Sequence, residues 1–357
     1  MAFIRQFDSV ECHEGEPMRV VTSGIPSIPG QTVYEKCKWL EKNDDQFRLL
    51  MLREPRGIPA TCCNLIVNTN RDDCEAGYII MEQVEYPMMS GGNTIAVATA
   101  LLETGMIPMT SEKMHFNLEA PAGVIGIEAD CDLTKHKCTR VTFKNVPSFP
   151  VYLDKEIDVP HLGKVKVDIA WGGMFYCIID ATQFKEYGPN GLELIPENGK
   201  DISKISSLCT TAAIEQLPVE HPDYPGVGIT LSMMWQPPVT PGTYMRSSNW
   251  YATGPVDFDN PQTWTGALDR GVCGTGTCAL MAVEHAKGRL KLNEPFINEG
   301  LLGIQFEGRL IEELDDFYGH KAVVPTVGGQ CWIYGFNKWV LDESDPFPNG
   351  FQIGDIW

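Results

Sequence analysis

The sequence predicts an α+β protein built from two similar lobes, and three observations support this prediction. The chain has 357 residues, which exceeds one ordinary hydrophobic core and favours two domains. Many short β-type segments, such as AGYIIMEQVEY and CTRVTFKNV, are separated by glycine and proline. Two segments have helical spacing instead, and these two are similar to each other.

The two predicted helices begin after a small polar residue and end at a glycine. The first, GGNTIAVATALLETG, follows Ser90 and ends at Gly105, while the second, GTGTCALMAVEHAKGRL, follows Cys273 and ends at Gly288. Glycine is the residue that most often follows a helix C-terminus. Apolar residues recur at helical spacing in the first segment: Ile95, Ala98, Leu101 and Leu102.

The similarity between the two segments indicates an internal duplication. Ser90 and Cys273 are 183 residues apart, about half of the chain. With that offset the segments agree without a gap at Gly91/Gly274, Thr94/Thr277, Ala96/Ala279 and Gly105/Gly288. Each lobe is therefore expected to present a serine or a cysteine at the start of a central helix.

Such helix starts are suited to binding and deprotonating a small acid. The first backbone N–H groups of a helix have no partner within it and carry partial positive charge, so they can hold a carboxylate. The same field is expected to lower the pKa of Cys273 and make it a reactive thiolate. A thiolate on one face of an α-carbon and the Ser90 hydroxyl on the other could exchange a proton.

Composition excludes several other classes. A net charge of −19 disfavours nucleic acid and anionic lipid as partners, and no stretch approaches the 18 apolar residues of a membrane span. The N-terminus turns acidic too early for a signal peptide. The twelve cysteines lack metal or redox spacing, so we expect most of them to be reduced core residues of a cytoplasmic protein.

Competing motifs have weaker support. The segment Gly274–Ala279 formally fits G-x-G-x-x-A, but it follows the polar run LDRGV rather than a hydrophobic strand, which disfavours dinucleotide binding. A cysteine hydrolase would need an imidazole near Cys273. His285 lies too far along the same helix, whereas His221 could reach the thiol only through folding. The segment WGGM at Trp171 is interpreted as a packing detail or bulge rather than a ligand site.

The motifs themselves resemble a known family. ALDRGVCGTGTCA is similar to the D-R-S-P-C-G-T-G-T signature of the proline racemase superfamily, and MMSGGNTIA is similar to its M-C-G-H-N-T-I. The segments GEPMRVVTSGIPSIPG, REPRG, DIAWGGMFYCIIDA, VEHPDYPG and DPFPNGF also resemble family segments, in the same order along the chain.

The resemblance implies a diaminopimelate-epimerase-like fold: two pseudo-symmetric lobes, each with a β-sheet wrapped round a central helix. We expect residues 1–145 with 325–357 to form the first lobe and residues 146–324 the second. The family racemises proline, epimerises 4-hydroxyproline at its α-carbon or dehydrates trans-3-hydroxyproline, without metal or pyridoxal phosphate. No cofactor is therefore expected, and a homodimer is one expectation for the assembly.

The resemblance also implies roles for individual residues. Cys273 matches the second catalytic cysteine, with Ser90 opposite it, and Asp269 matches the aspartate that contacts the substrate nitrogen. The implied substrate-binding residues are Gly91, Gly92, Asn93, Asp269, Gly274 and Thr275.

Four positions depart from the family pattern. Ser90 replaces the first cysteine, and the positions where histidines are usual carry Gly92, Cys12 and Ile58. These changes suggest an altered substrate. Because a hydroxyl is a much weaker base than a thiolate, Ser90 is expected to donate a proton rather than abstract one.

The resulting prediction is a cofactor-independent racemase or epimerase of proline or a hydroxyproline. One alternative is a trans-3-hydroxyproline dehydratase that uses Cys273 as its single base. The other is a non-catalytic protein that binds small acids at the same helix ends.

Overall fold

The computed structural model describes residues 3–354 and 356 and shows a mixed α+β chain in two compact units. Unit 1 runs to Lys144 and resumes at Gly328, and unit 2 covers Asn145–Val327. The predicted α+β class is confirmed.

The strands, in chain order, are β1 (Phe3–His13), β2 (Pro17–Ser23), β3 (Cys62–Val67), β4 (Ala76–Met81), β5 (Lys113–Ala120), β6 (Gly123–Asp132), β7 (Lys137–Lys144), β8 (Phe149–Val159), β9 (Gly163–Trp171), β10 (Phe175–Asp180), β11 (Ile229–Gln236), β12 (Met245–Tyr251), β13 (Ala267–Leu268), β14 (Phe296–Glu299), β15 (Gln305–Phe317), β16 (His320–Gly329) and β17 (Trp332–Asp342). The α-helices are α1 (Val33–Asn43), α2 (Gln46–Leu52), α3 (Gly91–Glu103), α4 (Gly199–Gln216) and α5 (Gly274–Ala286).

Unit 1 is a succession of paired strands that pack against α3. β17 pairs with β1, β1 with β2, β3 with β4, β5 with β6 and β6 with β7, all antiparallel, while β2–β3 and β4–β5 are parallel. Helix α3 contacts β1, β2, β3, β7 and β17, and every residue from Gly91 to Leu102 is buried. A helix composed of small and apolar residues on all sides is stable only when protein surrounds it.

Unit 2 repeats this arrangement around α5. The pairs β8–β9, β9–β10, β11–β12, β12–β13 and β14–β15 are antiparallel, and β10–β11 and β12–β14 are parallel. Helix α5 contacts β8, β9, β10 and β15 and is buried from Gly274 to Glu284, whereas α4 covers β10 and β11.

The two central helices have matching ends. Both contain 13 residues, and in both the predicted glycine is the second residue after the helix, Gly105 at φ +76° and Gly288 at φ +72°. In each helix the threonine four residues after the N-cap donates from its hydroxyl to the N-cap carbonyl at 2.7 Å, Thr94 to Ser90 and Thr277 to Cys273. The repeated local geometry agrees with the duplication inferred from the sequence.

One glycine sets the distance between β9 and α5. A Cβ atom at Gly172 would overlap the carbonyl oxygen of Thr275 and lie 2.7 Å from the backbone nitrogen of Ala279. Asn145 Nδ2 also donates to the Gly172 carbonyl at 2.6 Å. This contact favours the packing interpretation of the segment WGGM.

All twelve cysteines lie in the described part of the chain and are free thiols, ten of them buried. The exceptions are Cys74 and Cys273, which are half-buried. This burial agrees with the interpretation of most cysteines as core residues. Within residues 3–354 and 356, no helix combines the length and apolar character needed to cross a membrane.

Candidate active site

Cys273 is the N-cap residue of α5 in unit 2. Its thiol accepts a hydrogen bond from the backbone N–H of Gly276, with the sulfur 3.4 Å from the nitrogen. A Cβ atom at Gly276 would lie 3.1 Å from Cys273 Sγ and would overlap Met233 Cε. The glycines of C-G-T-G therefore leave room for the sulfur over the first helical turn.

Tyr176, a β10 residue that the sequence analysis did not select, contacts the same sulfur. Its phenolic oxygen lies 3.3 Å from Cys273 Sγ and 2.7 Å from Thr275 Oγ1. Only 1% of Tyr176 is exposed. The Tyr176 hydroxyl can donate a hydrogen bond to the Cys273 sulfur while it accepts one from the Thr275 hydroxyl. This arrangement favours the charged form of the sulfur. The two-residue periodicity of the strand FYCIID could indicate that Tyr176 faces one side of the sheet. It could not indicate that the hydroxyl of Tyr176 meets Cys273.

Asp269 lies between β13 and α5 and shares its surroundings with Cys273. Burial is the main cause that raises the pKa of Asp269 to about 6, against hydrogen bonds from Asn249 and Cys273 that lower it. Burial likewise raises the pKa of the Cys273 thiol well above its ordinary value, and the charge of Asp269 raises it further. Bonds from Tyr176 and Gly276 oppose this shift.

These directions correct the expectation that the helix end alone makes Cys273 a thiolate. The Asp269 carboxyl and the Cys273 thiol share a poorly solvated environment, which disfavours the state in which both are charged. A cation beside them would therefore favour ionisation of both.

Ser90 is the N-cap residue of α3 in unit 1. Its side chain forms no capping hydrogen bond; instead its Oγ atom accepts from Asn93 Nδ2 at 2.9 Å. Asn93 Oδ1 in turn accepts from Asn64 Nδ2 at 2.6 Å. The chain Asn64–Asn93–Ser90 fixes the serine oxygen as an acceptor, so that its own proton is available for donation.

The glycines after Ser90 lie in the first turn of α3 and are buried. A Cβ atom at Gly92 would lie 2.5 Å from Glu14 Oε1, so a carboxyl group occupies the space beside this position. Glu14, like Tyr176, was not selected from the sequence.

The other two positions that depart from the family pattern have different environments. Cys12 is buried and forms a thiol–thiol hydrogen bond with Cys331, which is the main cause that raises the pKa of Cys331 well above its ordinary value. Ile58, in contrast, is 49% exposed on unit 1.

The predicted residues therefore form two groups. Unit 2 brings Cys273, Asp269, Gly274 and Thr275 to the start of α5, and unit 1 brings Ser90, Gly91, Gly92 and Asn93 to the start of α3. Among the residues that the structure describes, no three His, Cys, Asp or Glu side chains are grouped in a way that could hold a metal ion.

The competing motifs find little support. His285 lies in the last turn of α5, with Nδ1 2.8 Å from the Leu290 carbonyl oxygen and Nε2 3.0 Å from Glu313 Oε1. The His221 ring contacts Trp171 in a tilted arrangement and stacks on Tyr224, at centroid distances of 4.4 and 4.5 Å, and burial lowers the pKa of His221 to about 4. The strand before Gly274 has only two residues and pairs antiparallel with β12, unlike the parallel βαβ unit of dinucleotide sites.

Comparison with known proteins assigns the family. A family model described as proline racemase matches residues 9–352. The chain is 35% identical to a proline racemase of Clostridioides difficile, over 99% of this chain and all of the relative. It is 32% identical to a 4-hydroxyproline 2-epimerase of Rhizobium etli, over all of this chain and 98% of the relative.

Solved structures agree with this assignment. A hydroxyproline epimerase from Agrobacterium vitis, with bound trans-4-hydroxy-L-proline, superposes with a TM-score of 0.89 at 32% identity and covers all of this chain and 97% of its own. A phenazine biosynthesis protein of the PhzF family from Bacillus anthracis, at 10% identity and a TM-score of 0.55, covers 95% of this chain and all of its own and shares the fold alone. The predicted fold and the predicted isomerase family are confirmed: the chain belongs to the proline racemase family.

Proposed function

We propose that the chain is a racemase or epimerase that moves the α-proton of proline or a hydroxyproline without a cofactor. Cys273 acts as base and acid on one face of the α-carbon, and Ser90 acts on the opposite face. The observation that carries the proposal is the contact set of the Cys273 sulfur, which accepts from Gly276 at a helix N-terminus and lies 3.3 Å from the Tyr176 hydroxyl. Family membership and the names of the relatives support the substrate class.

The electrostatics of Asp269 and Cys273 favour a cationic substrate nitrogen. Because desolvation raises the pKa of both acids, a protonated imino group beside Asp269 would stabilise that carboxylate and ease ionisation of the thiol. The substrate carboxylate would accept from backbone N–H groups of the first helical turns, at Gly91, Gly92, Gly274 and Thr275.

The proposed reaction consists of two proton transfers, one on each face of the α-carbon. The Cys273 thiolate takes the α-proton and becomes a thiol, leaving a carbanion whose charge spreads into the substrate carboxylate. Ser90 gives its proton to the other face of the α-carbon, and Asn93 donates to the oxygen that remains. Before the next turnover Ser90 must regain a proton from water, and Cys273 must lose to water the proton that it took from the substrate. Since a serine is a poor base, the reaction is expected to be faster in the direction that starts with Cys273.

Dehydration is the second candidate because it needs only one strong base. Cys273 would remove the α-proton of trans-3-hydroxyproline, and the 3-hydroxyl would leave as water after receiving a proton. Ser90 in the place of a second thiol is the observation that favours this candidate.

Proton NMR in D2O with proline, 4-hydroxyproline and trans-3-hydroxyproline, each supplied separately, tests the proposal. Deuterium at the α-position together with a new enantiomer or diastereomer is the expected result, and it should disappear in Cys273→Ser. Loss of the 3-hydroxyl would instead establish the dehydratase. No exchange with any of the three would favour a protein that binds small acids without reacting, or a different acid as substrate.

A further inference from the structure

Glu14 lies against the first turn of α3. A Cβ atom at Gly92 would be 2.5 Å from Glu14 Oε1, 3.4 Å from its Cδ and 3.7 Å from its Cγ. Real Cβ atoms do not approach an oxygen so closely, so any side chain at position 92 would have to displace the carboxyl group. A side chain at position 92 and the end of Glu14 would therefore compete for the same space.

The Glu14 side chain is enclosed rather than free to swing into solvent. It follows β1 directly, is only 3% exposed, and its charge contributes to raising the pKa of Cys331, which directly precedes β17. The adjoining Gly15, at φ +121°, adopts a backbone conformation that favours glycine and turns the chain. The burial of Glu14, its position directly after β1 and its closeness to Gly92 thus place the carboxyl group at the helix end.

This position brings an anionic acceptor to a helix end that is otherwise suited to anions. A carboxylate near a helix N-terminus is stabilised by the partial positive charge of that end. A second carboxylate bound at Gly91 and Gly92 would be repelled by Glu14, whereas a ligand group that donates a hydrogen bond would be attracted by it. Whether a ligand is repelled or attracted by Glu14 therefore depends on the hydrogen-bond donors that it has besides its carboxylate.

We propose that Glu14 is a specificity-determining residue that selects proline-type acids with a hydroxyl group on the ring over those without one. This inference rests on the proposed function, because it assumes that the acid binds at the start of α3. A ring hydroxyl donates to the Glu14 carboxyl group and offsets the repulsion between the two carboxylates. Unsubstituted proline has no ring hydroxyl, and its ring ammonium is assigned to Asp269 in the proposed function.

A pair of nearly isosteric ligands isolates the donor. The hydroxyl of trans-4-hydroxy-L-proline can donate to Glu14, whereas trans-4-fluoro-L-proline has a similar size but carries no hydroxyl donor at that ring position. We expect calorimetric binding to the Cys273→Ser protein to favour the hydroxyl compound by about tenfold or more, the range of a hydrogen bond to a charged group. The ratio of kcat/KM values, measured by α-deuterium exchange with the wild-type protein, should show the same preference.

Three variants test whether Glu14 causes the preference. Glu14→Ala should reduce the preference for the hydroxyl over the fluoro compound to a ratio of about one. Gly92→Ala should reduce the same ratio, because the new methyl group displaces the Glu14 carboxyl group. The double variant should be no worse than Glu14→Ala alone. Glu119→Gln is the matched control, since Glu119 is a similarly buried carboxyl group of unit 1 that accepts from the Val33 N–H and from Thr69. It should keep the wild-type ratio.

The outcomes separate this inference from the proposed function. α-Exchange with a ratio that Glu14→Ala leaves unchanged would overturn the role of Glu14 and keep the epimerase. Binding with a preference that Glu14→Ala abolishes, but without exchange, would support Glu14 and overturn the epimerase. Failure of all these ligands to bind would overturn both.

Discussion

The phenolic oxygen of Tyr176 lies 3.3 Å from the sulfur of Cys273 and 2.7 Å from the hydroxyl of Thr275. The two partners of this contact are 97 residues apart in the chain, and the tyrosine is buried beneath the helix that the cysteine caps. The hydroxyl is therefore placed to stabilise the charged form of the sulfur, a role that burial and Asp269 oppose.

Tyr176→Phe should raise the pKa of the Cys273 thiol and lower kcat/KM by about tenfold, since a hydrogen bond to a charged group is lost while ring packing is kept. The pH dependence of alkylation of the Cys273 peptide, followed by mass spectrometry, reports the thiol pKa directly. Tyr78→Phe is the matched control, because Tyr78 is equally buried in unit 1 and bonds to a threonine of α3, Thr94, at 2.5 Å. An unchanged alkylation profile in Tyr176→Phe would refute the role.

Ser90→Cys should increase the rate of epimerisation by about tenfold, because a thiolate is the stronger base on the second face. Asn93 donates to the side chain at this position and can also donate to sulfur. α-Deuterium exchange from both isomers measures the effect, which should be greatest in the direction that starts with residue 90. Ser90→Ala should slow the reaction. A large loss in Ser90→Cys would contradict epimerisation and favour a role that requires a hydroxyl.

Asp269 should make stability depend on pH. Burial raises its pKa in the folded protein from the ordinary 3.8 to about 6, so the folded state binds this proton more tightly than the unfolded chain. The free energy of unfolding contributed by Asp269 is present below pH 4 and falls as the pH rises to about 6. Between pH 4 and pH 6 the free energy of unfolding of the wild type should therefore decrease relative to that of Asp269→Asn. A difference that stays constant from pH 4 to pH 6 would show that the pKa is not raised.

Gly172→Ala should destabilise the protein by about 2 kcal/mol, the range expected when a tightly packed site receives an additional methyl group. The new Cβ atom would overlap the Thr275 carbonyl oxygen and push α5 away from β9. Gly254→Ala is the control, since a Cβ atom there meets nothing within 4 Å. Urea unfolding curves measure both variants. Equal midpoints for the two would show that β9 and α5 do not constrain each other at this position.

The local features of the helices could be predicted because they depend on neighbours in the chain. The apolar spacing, the residues Ser90 and Cys273 before each helix and the glycines Gly105 and Gly288 after it all act within a turn or two of backbone. The family motifs add the identity of Cys273 and Asp269 as site residues, which remain predictions until variants are measured.

Other features required contacts between distant segments. Glu14 and Gly92 lie far apart in the chain, and nothing in the segments EGEP or SGGN indicates that the carboxyl group of Glu14 fills the space beside Gly92. The thiol pKa was expected to fall from the position of Cys273 at a helix end, but the burial and the nearby carboxyl group that raise it come from the folded surroundings.

The sequence by itself determined the two-helix duplication, the Ser/Cys pair of N-caps and the family, because helix starts, helix ends and motifs are properties of adjacent residues. Only the tertiary structure decided which side chains surround those N-caps: Tyr176 beside Cys273, Asn64 behind Asn93, and Glu14 beside Gly92. The physical reason is that hydrogen bonds and close packing act over a few ångströms, and only folding brings residues distant in the chain within that range.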